Sequence, residues 1–167
     1  MIKSVVWTVV FGLVAAILQS TLLSRLALYR AVPDITLGIV VYSAYVNGVM
    51  AGQLSGFFSG IVLDSLSAAP FGLNALIRTL VGALAGLMKG TFFLDVFLLP
   101  MILCASATLL KALILLLLNL LMGDSVLSYP LGAPTLWAEL ALNTVIAPFL
   151  FAFLKRFKSL LVRRGEI

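Results

Sequence analysis

The sequence predicts an all-α integral membrane protein, a compact bundle of six transmembrane helices with both termini in the cytoplasm. Three observations lead there. Of the 167 residues, 63% are hydrophobic and only 10% charged, with a mean hydropathy of +1.22, whereas a soluble domain carries about 25% charged residues. A membrane-crossing helix takes roughly 20 apolar residues, so the chain has room for six spans with short connections and none for a separate aqueous domain of typical size. Runs such as LLKALILLLLNLLM at Leu109–Met122 are apolar on every face, whereas the strands of a membrane β-barrel alternate apolar and polar residues over about ten positions.

The first span, about Ser4–Ser24, follows Met1-Ile2-Lys3. Its apolar core is too long for a signal peptide and lacks a small-residue cleavage site, so it is expected to remain as an anchor. Arg25 and Arg30 lie in the following loop, which ends at Pro33-Asp34; Pro suits a helix start, and an Asp side chain can accept from the free N–H groups of the first turn. The second span, about Asp34–Asn47, and the third, about Gly52–Leu66, are short. Each covers roughly 22 Å against a hydrocarbon core of roughly 30 Å. Pro70-Phe71-Gly72 makes a turn before the fourth span, about Asn74–Lys89. The fifth, about Leu94–Met122, contains Pro100 near its start and is long enough to tilt. Gly123–Pro134 is the longest polar connection, and about Thr135–Leu154 forms the sixth span. Residues 155–167 form a basic tail, FLKRFKSLLVRRG with its leading apolar pair.

Composition removes much chemistry. The chain has no histidine and a single cysteine, Cys104, which excludes imidazole catalysis, a histidine-held metal and an internal disulfide. No nucleophile–base pair is indicated among the Ser and Thr residues, and no cofactor is expected. The net charge of +5 is concentrated in Lys155, Arg156, Lys158, Arg163 and Arg164, a pattern of membrane topology rather than of nucleic-acid binding. With Lys3 and Lys89 these make seven basic residues on one side, against Arg25 and Arg30 on the other, which places both termini in the cytoplasm. The tail reads as an anchor at the headgroups, or as a docking surface for a cytoplasmic partner or anionic lipid.

A spacing of four dominates the middle of the chain. Gly48, Gly52, Gly56, Gly60 and Asp64 follow it, as do Arg78, Gly82, Gly86 and Gly90. Four-residue spacing keeps side chains on one helical face, and glycine there lets two membrane helices approach closely. An antiparallel hairpin turning at Phe71 sets Gly60 opposite Gly82, Gly56 opposite Gly86 and Gly52 opposite Gly90. The same register sets Asp64 against Arg78 as a buried ion pair, which reduces the cost of two charges at membrane depth. Such a pair is either a packing device or part of a ligand-binding, proton-carrying or partner site. Lys111 can pair with Glu139, which stands four residues before Asn143.

Residues 33–89 contain PDITLG, GQLSGFFSGIVLD, PFGLNAL and the Gly-rich GALAG. Through these motifs the chain resembles the MreD family of rod shape-determining proteins, and length, span count and basic tail fit this resemblance. It implies a non-enzymatic scaffold subunit in the bacterial inner membrane, within the machinery that directs side-wall peptidoglycan synthesis. The implied partners are the bitopic protein MreC, a SEDS glycosyltransferase with a class B penicillin-binding transpeptidase, the MreB filament and the lipid bilayer. The family is also similar in fold to the substrate-binding S-components of energy-coupling-factor vitamin transporters, which supplies the alternative function. An S-component uses small residues of its first span to contact a coupling subunit; Gly12 and Ala16 are four apart here, with no longer row expected.

Overall fold

The computed structural model describes residues 1–21, 31–67, 69–90, 97–122 and 134–162, of which 87% are helical with no strand among them. The helices are α1 (Ile2–Thr21), α2 (Ile35–Asn47), α3 (Val49–Leu66), α4 (Leu73–Leu87), α5 (Leu98–Met122), α6 (Pro134–Arg156) and the single turn α7 (Lys158–Leu161). By length and apolar content α1, α3, α5 and α6 can each cross a membrane, while α2 and α4 are shorter apolar helices. The expected loop arginines Arg25 and Arg30, the connection 123–133 and the tail residues Arg163 and Arg164 lie outside the described residues.

Local chemistry sets the ends of these helices. Asp34 caps α2, its Oδ1 accepting from Leu37 N at 3.0 Å. Gly48, at φ +92°, is the one residue between α2 and α3; that left-handed conformation suits glycine and reverses the chain in a single step. Pro100 falls in the first turn of α5, where its missing N–H has no helical partner to lose.

Small side chains bring α1, α3 and α4 together. On α1, Ser4, Thr8, Gly12 and Ala16 are all buried, so the row is longer than Gly12 and Ala16 alone; two hydroxyl residues extend it. Gly12 faces Thr36 and Ser59, and the Thr8 hydroxyl donates to Ser43 Oγ at 2.9 Å. On α3, Gly52, Gly56 and Gly60 form one buried row and Ala51, Ser55 and Ser59 another beside it, so two neighbouring faces of the helix are covered.

The glycine faces of α3 and α4 meet, but in a different register from the one expected. A Cβ added to Gly52 would collide with the Gly82 carbonyl, and one added to Gly82 with that of Gly52. Gly56 lies against the main chain of Arg78 rather than Gly86, Gly60 against Ala75 rather than Gly82, and Gly86 against Gly48 and Val49. Gly90 lies beyond α4 in a turn at φ +71°, with open space around it, and packs against nothing on α3. The displacement of two rungs has a local cause. The chain turns earlier than Phe71, immediately after α3 ends at Leu66, and the Asp64 carboxylate draws the start of α4 alongside the last turn of α3.

Candidate functional site

The expected Asp64–Arg78 pair does not form. Asp64 instead caps α4 from the end of α3: its oxygens accept from the backbone N–H groups of Gly72 at 3.0 Å, Asn74 at 2.9 Å and Ala75 at 3.1 Å, and from Asn74 Nδ2 at 2.9 Å. A carboxylate at a helix N-terminus is stabilised by the free N–H groups and by the helix dipole together. Asp64 therefore needs no cation.

Arg78 turns to Asp34. Its Nη2 donates to Asp34 Oδ1 at 2.8 Å and to Oδ2 at 3.0 Å. Lys111 Nζ, from the middle of α5, reaches Asp34 Oδ2 at 3.1 Å and Glu139 Oε1, in the second turn of α6, at 2.6 Å. The Lys111–Glu139 contact expected from the sequence is thus present, as one link of a longer chain. Two cations and two carboxylates form a neutral line from α4 through the start of α2 to α5 and α6.

Burial makes the arrangement costly to break. Arg78 is 2% exposed, Glu139 3% and Asp34 8%. Burying one unpaired charge costs several kcal/mol, whereas a hydrogen-bonded pair recovers much of that. Neutral groups extend the network. Asn143 Oδ1 accepts from Asp34 N at 2.7 Å, and Asn143 Nδ2 donates to Thr108 Oγ1 at 2.9 Å. Gln19, near the end of α1, donates to Pro33 O at 2.8 Å and accepts from the Thr36 hydroxyl at 2.8 Å. Five helices are joined here through side chains. Arg78 Nε and Nη1 have no hydrogen-bond partner among the described residues, so Asp34 carries nearly the whole stabilisation of the guanidinium.

The site offers little room for a ligand. The cavity beside it, lined by Asp34, Cys104, Thr108 and Asn143, measures about 10 Å³, space for about one water molecule. No group of three potential metal ligands occurs among the described residues.

At the opposite end of the bundle the C-terminal segment folds back. Lys155 and Arg156 end α6 and Lys158 begins α7, all exposed. Leu161 and Val162 are nonetheless buried, the Leu161 carbonyl accepts from Asn47 Nδ2 at 2.9 Å, and the Phe157 ring lies 5.2 Å from those of Phe11 and Phe153. Some of the expected tail is therefore core.

Sequence reasoning misses the Asp34–Arg78 contact because it gives Asp34 only a capping role. The available signal is the position of Asp64, close enough to the PFG turn for the N–H groups there to satisfy it and leave Arg78 in need of another acid. In comparison with known proteins, the family model for the rod shape-determining protein MreD matches residues 1–157. Neither the curated proteins nor the solved structures gave a significant match.

Proposed function

The chain belongs to the rod shape-determining protein MreD family, a family of structural membrane proteins in shape determination, and from that premise we propose that it is a non-enzymatic scaffold of the cell-elongation machinery. It crosses the bacterial inner membrane six times with both termini in the cytoplasm, and it holds an MreC-like protein and the SEDS glycosyltransferase–transpeptidase pair, with MreB as a further partner. One observation supports a scaffold above all. The buried charges neutralise one another and tie α2, α4, α5 and α6 into one body through Asp34, Arg78, Lys111 and Glu139, so the lateral faces keep fixed positions relative to one another. Those faces are broad: Val6, Val10, Leu13, Val14 and Ile17 of α1 and Leu109, Leu113 and Leu117 of α5 are exposed, as suits contact with lipid or with partner helices.

The transport alternative gains no support. The small-residue row of α1, which would contact a coupling subunit, is covered by α2 and α3. Affinity purification from membranes tests the proposal: MreC-like and wall-synthase proteins should be recovered, and an ATP-driven coupling complex or a tightly held small molecule would overturn it. Orientation has its own test. With a thiol reagent applied outside the cell, Ser128→Cys should label and Ser159→Cys should not; the reverse pattern refutes the cytoplasmic termini.

A further inference from the structure

A second recess lies at the α7 end of the bundle, about two to three helical turns along α2, α5 and α6 from the charge network. It is an open groove of about 690 Å³ between α2, the start of α5 and the end of α6. Tyr42, Leu99, Pro100 and Phe151 contribute its apolar wall, and Lys155, Arg156 and Lys158 stand at its rim. We propose that this groove holds one anionic phospholipid of the surrounding bilayer, its phosphate among Lys155, Arg156 and Lys158 and an acyl chain along Tyr42, Leu99, Pro100 and Phe151.

Charge favours an anion strongly. Among the described residues no Asp or Glu lines the groove, and the acids of those residues, Asp34, Asp64 and Glu139, are engaged at the other end of the bundle. None of Lys155, Arg156 and Lys158 forms an ion pair among the described residues. Two helix C-termini, of α2 and α6, each equivalent to about half a negative charge, and the N-terminus of α5, equivalent to about half a positive charge, meet at this end, so the three cations leave between about two and three positive charges to be neutralised. Shape then selects the source of the anion. A free phosphate would leave the half-buried Tyr45, Val46 and Leu99 and the exposed Ala152 of the groove facing water, whereas an acyl chain covers them, and this surface continues into the exposed Leu98 and Ile102 of α5, which a bilayer already contacts. The volume falls in the range that encloses a ligand of moderate size.

Native mass spectrometry of the purified protein, titrated with phosphatidylglycerol or phosphatidylcholine, tests this. One phosphatidylglycerol should remain bound under conditions that strip phosphatidylcholine, and excess inorganic phosphate should not displace it. Replacing the three cations together, K155Q/R156Q/K158Q, should weaken phosphatidylglycerol binding at least tenfold, from about fivefold for each cation near an anionic lipid, and leave phosphatidylcholine unchanged. Ala152→Trp, at an exposed position on the groove wall, should lower occupancy by filling the space without changing thermal stability; with Lys158→Gln it serves if the triple variant does not fold. Equal retention of the two lipids, wild-type retention by the triple or the Trp variant, or displacement by phosphate alone would overturn the proposal. These readouts do not involve the wall-synthesis partners, so they stand or fall separately from the scaffold reading.

Discussion

The α3–α4 and α5–α6 hairpins solve the same problem by opposite means. In water a helix pair gains from hiding apolar surface, but lipid tails remove that incentive. The α3–α4 pair compensates with proximity: glycines at 52, 56, 82 and 86 bring main chain against main chain, which multiplies dispersion contacts. The α5–α6 pair has larger buried residues, among them Leu103, Leu115, Leu136 and Phe151, and is fastened by polar side chains, Lys111 to Glu139 and Thr108 to Asn143. The first joint tolerates no added volume, whereas the second tolerates no lost charge. Arg78 links them, because its main chain lies in the glycine seam against Gly56 while its guanidinium enters the polar joint.

The largest expected effect tests the proximity joint. Gly52→Leu or Gly82→Leu must push the facing backbones away from each other, at about 3 kcal/mol or more, and should abolish the monodisperse folded peak in detergent. Gly90→Asn should leave that peak intact, since Asn tolerates a positive φ and nothing crowds the site. Equal behaviour of Gly52→Leu and Gly90→Asn would restore the register in which those two glycines face each other.

Next comes the polar joint. Asp34→Ala leaves Arg78 without a counter-ion among the described residues and takes one carboxylate from Lys111, and should cost about 3–5 kcal/mol in an unfolding titration. A double-mutant cycle sharpens the point: Asp34→Ala with Arg78→Ala should couple strongly, whereas Asp64→Ala with Arg78→Ala should be additive within about 0.5 kcal/mol. Coupling of the second pair and not the first would reverse the assignment. Asp64→Ala alone removes a cap and should cost about 2 kcal/mol, visible as a lower melting temperature. The smallest effect belongs to Asn47→Ala, which loses the bond to Leu161 O and should cost about 1 kcal/mol, with increased proteolysis after α6 as its measure.

The same contrast explains what could be read from the chain. Apolar runs and glycine spacing reveal which helices exist and which faces are small, because both are properties of a single helix. Register is a property of two. A ladder with a rung every four residues looks the same after sliding by one or two rungs, so only the turn decides, and the turn depends on Asp64 preferring three backbone N–H groups to a guanidinium. The Lys111–Glu139 contact was legible from two charges in adjacent apolar helices. The Asp34–Arg78 contact was not, because those residues are 44 positions apart in sequence, and no local pattern records that α2 begins beside the second turn of α4. The buried end of the tail was hidden too: Leu161 and Val162 sit among Lys158, Arg163 and Arg164, and nearby charge masks a core residue.

The unequal helix lengths act on the membrane itself. The exposed face of α4, carrying Leu76, Leu80, Leu84 and Leu87, spans 15 residues, and α5 beside it spans 25; these are about 22 Å and about 37 Å of apolar wall, against a hydrocarbon layer of about 30 Å. In the six-span arrangement proposed above, lipid pinches inward beside α4, and beside α5 it swells or α5 leans. Each ångström of mismatch costs a fraction of a kcal/mol, so in that arrangement the protein carries a dent with a fixed bearing around its circumference. Two neighbours that place their dents together deform less bilayer than two that stand apart, and elastic strain in the lipid thereby becomes a weak, directional force acting in the plane of the membrane.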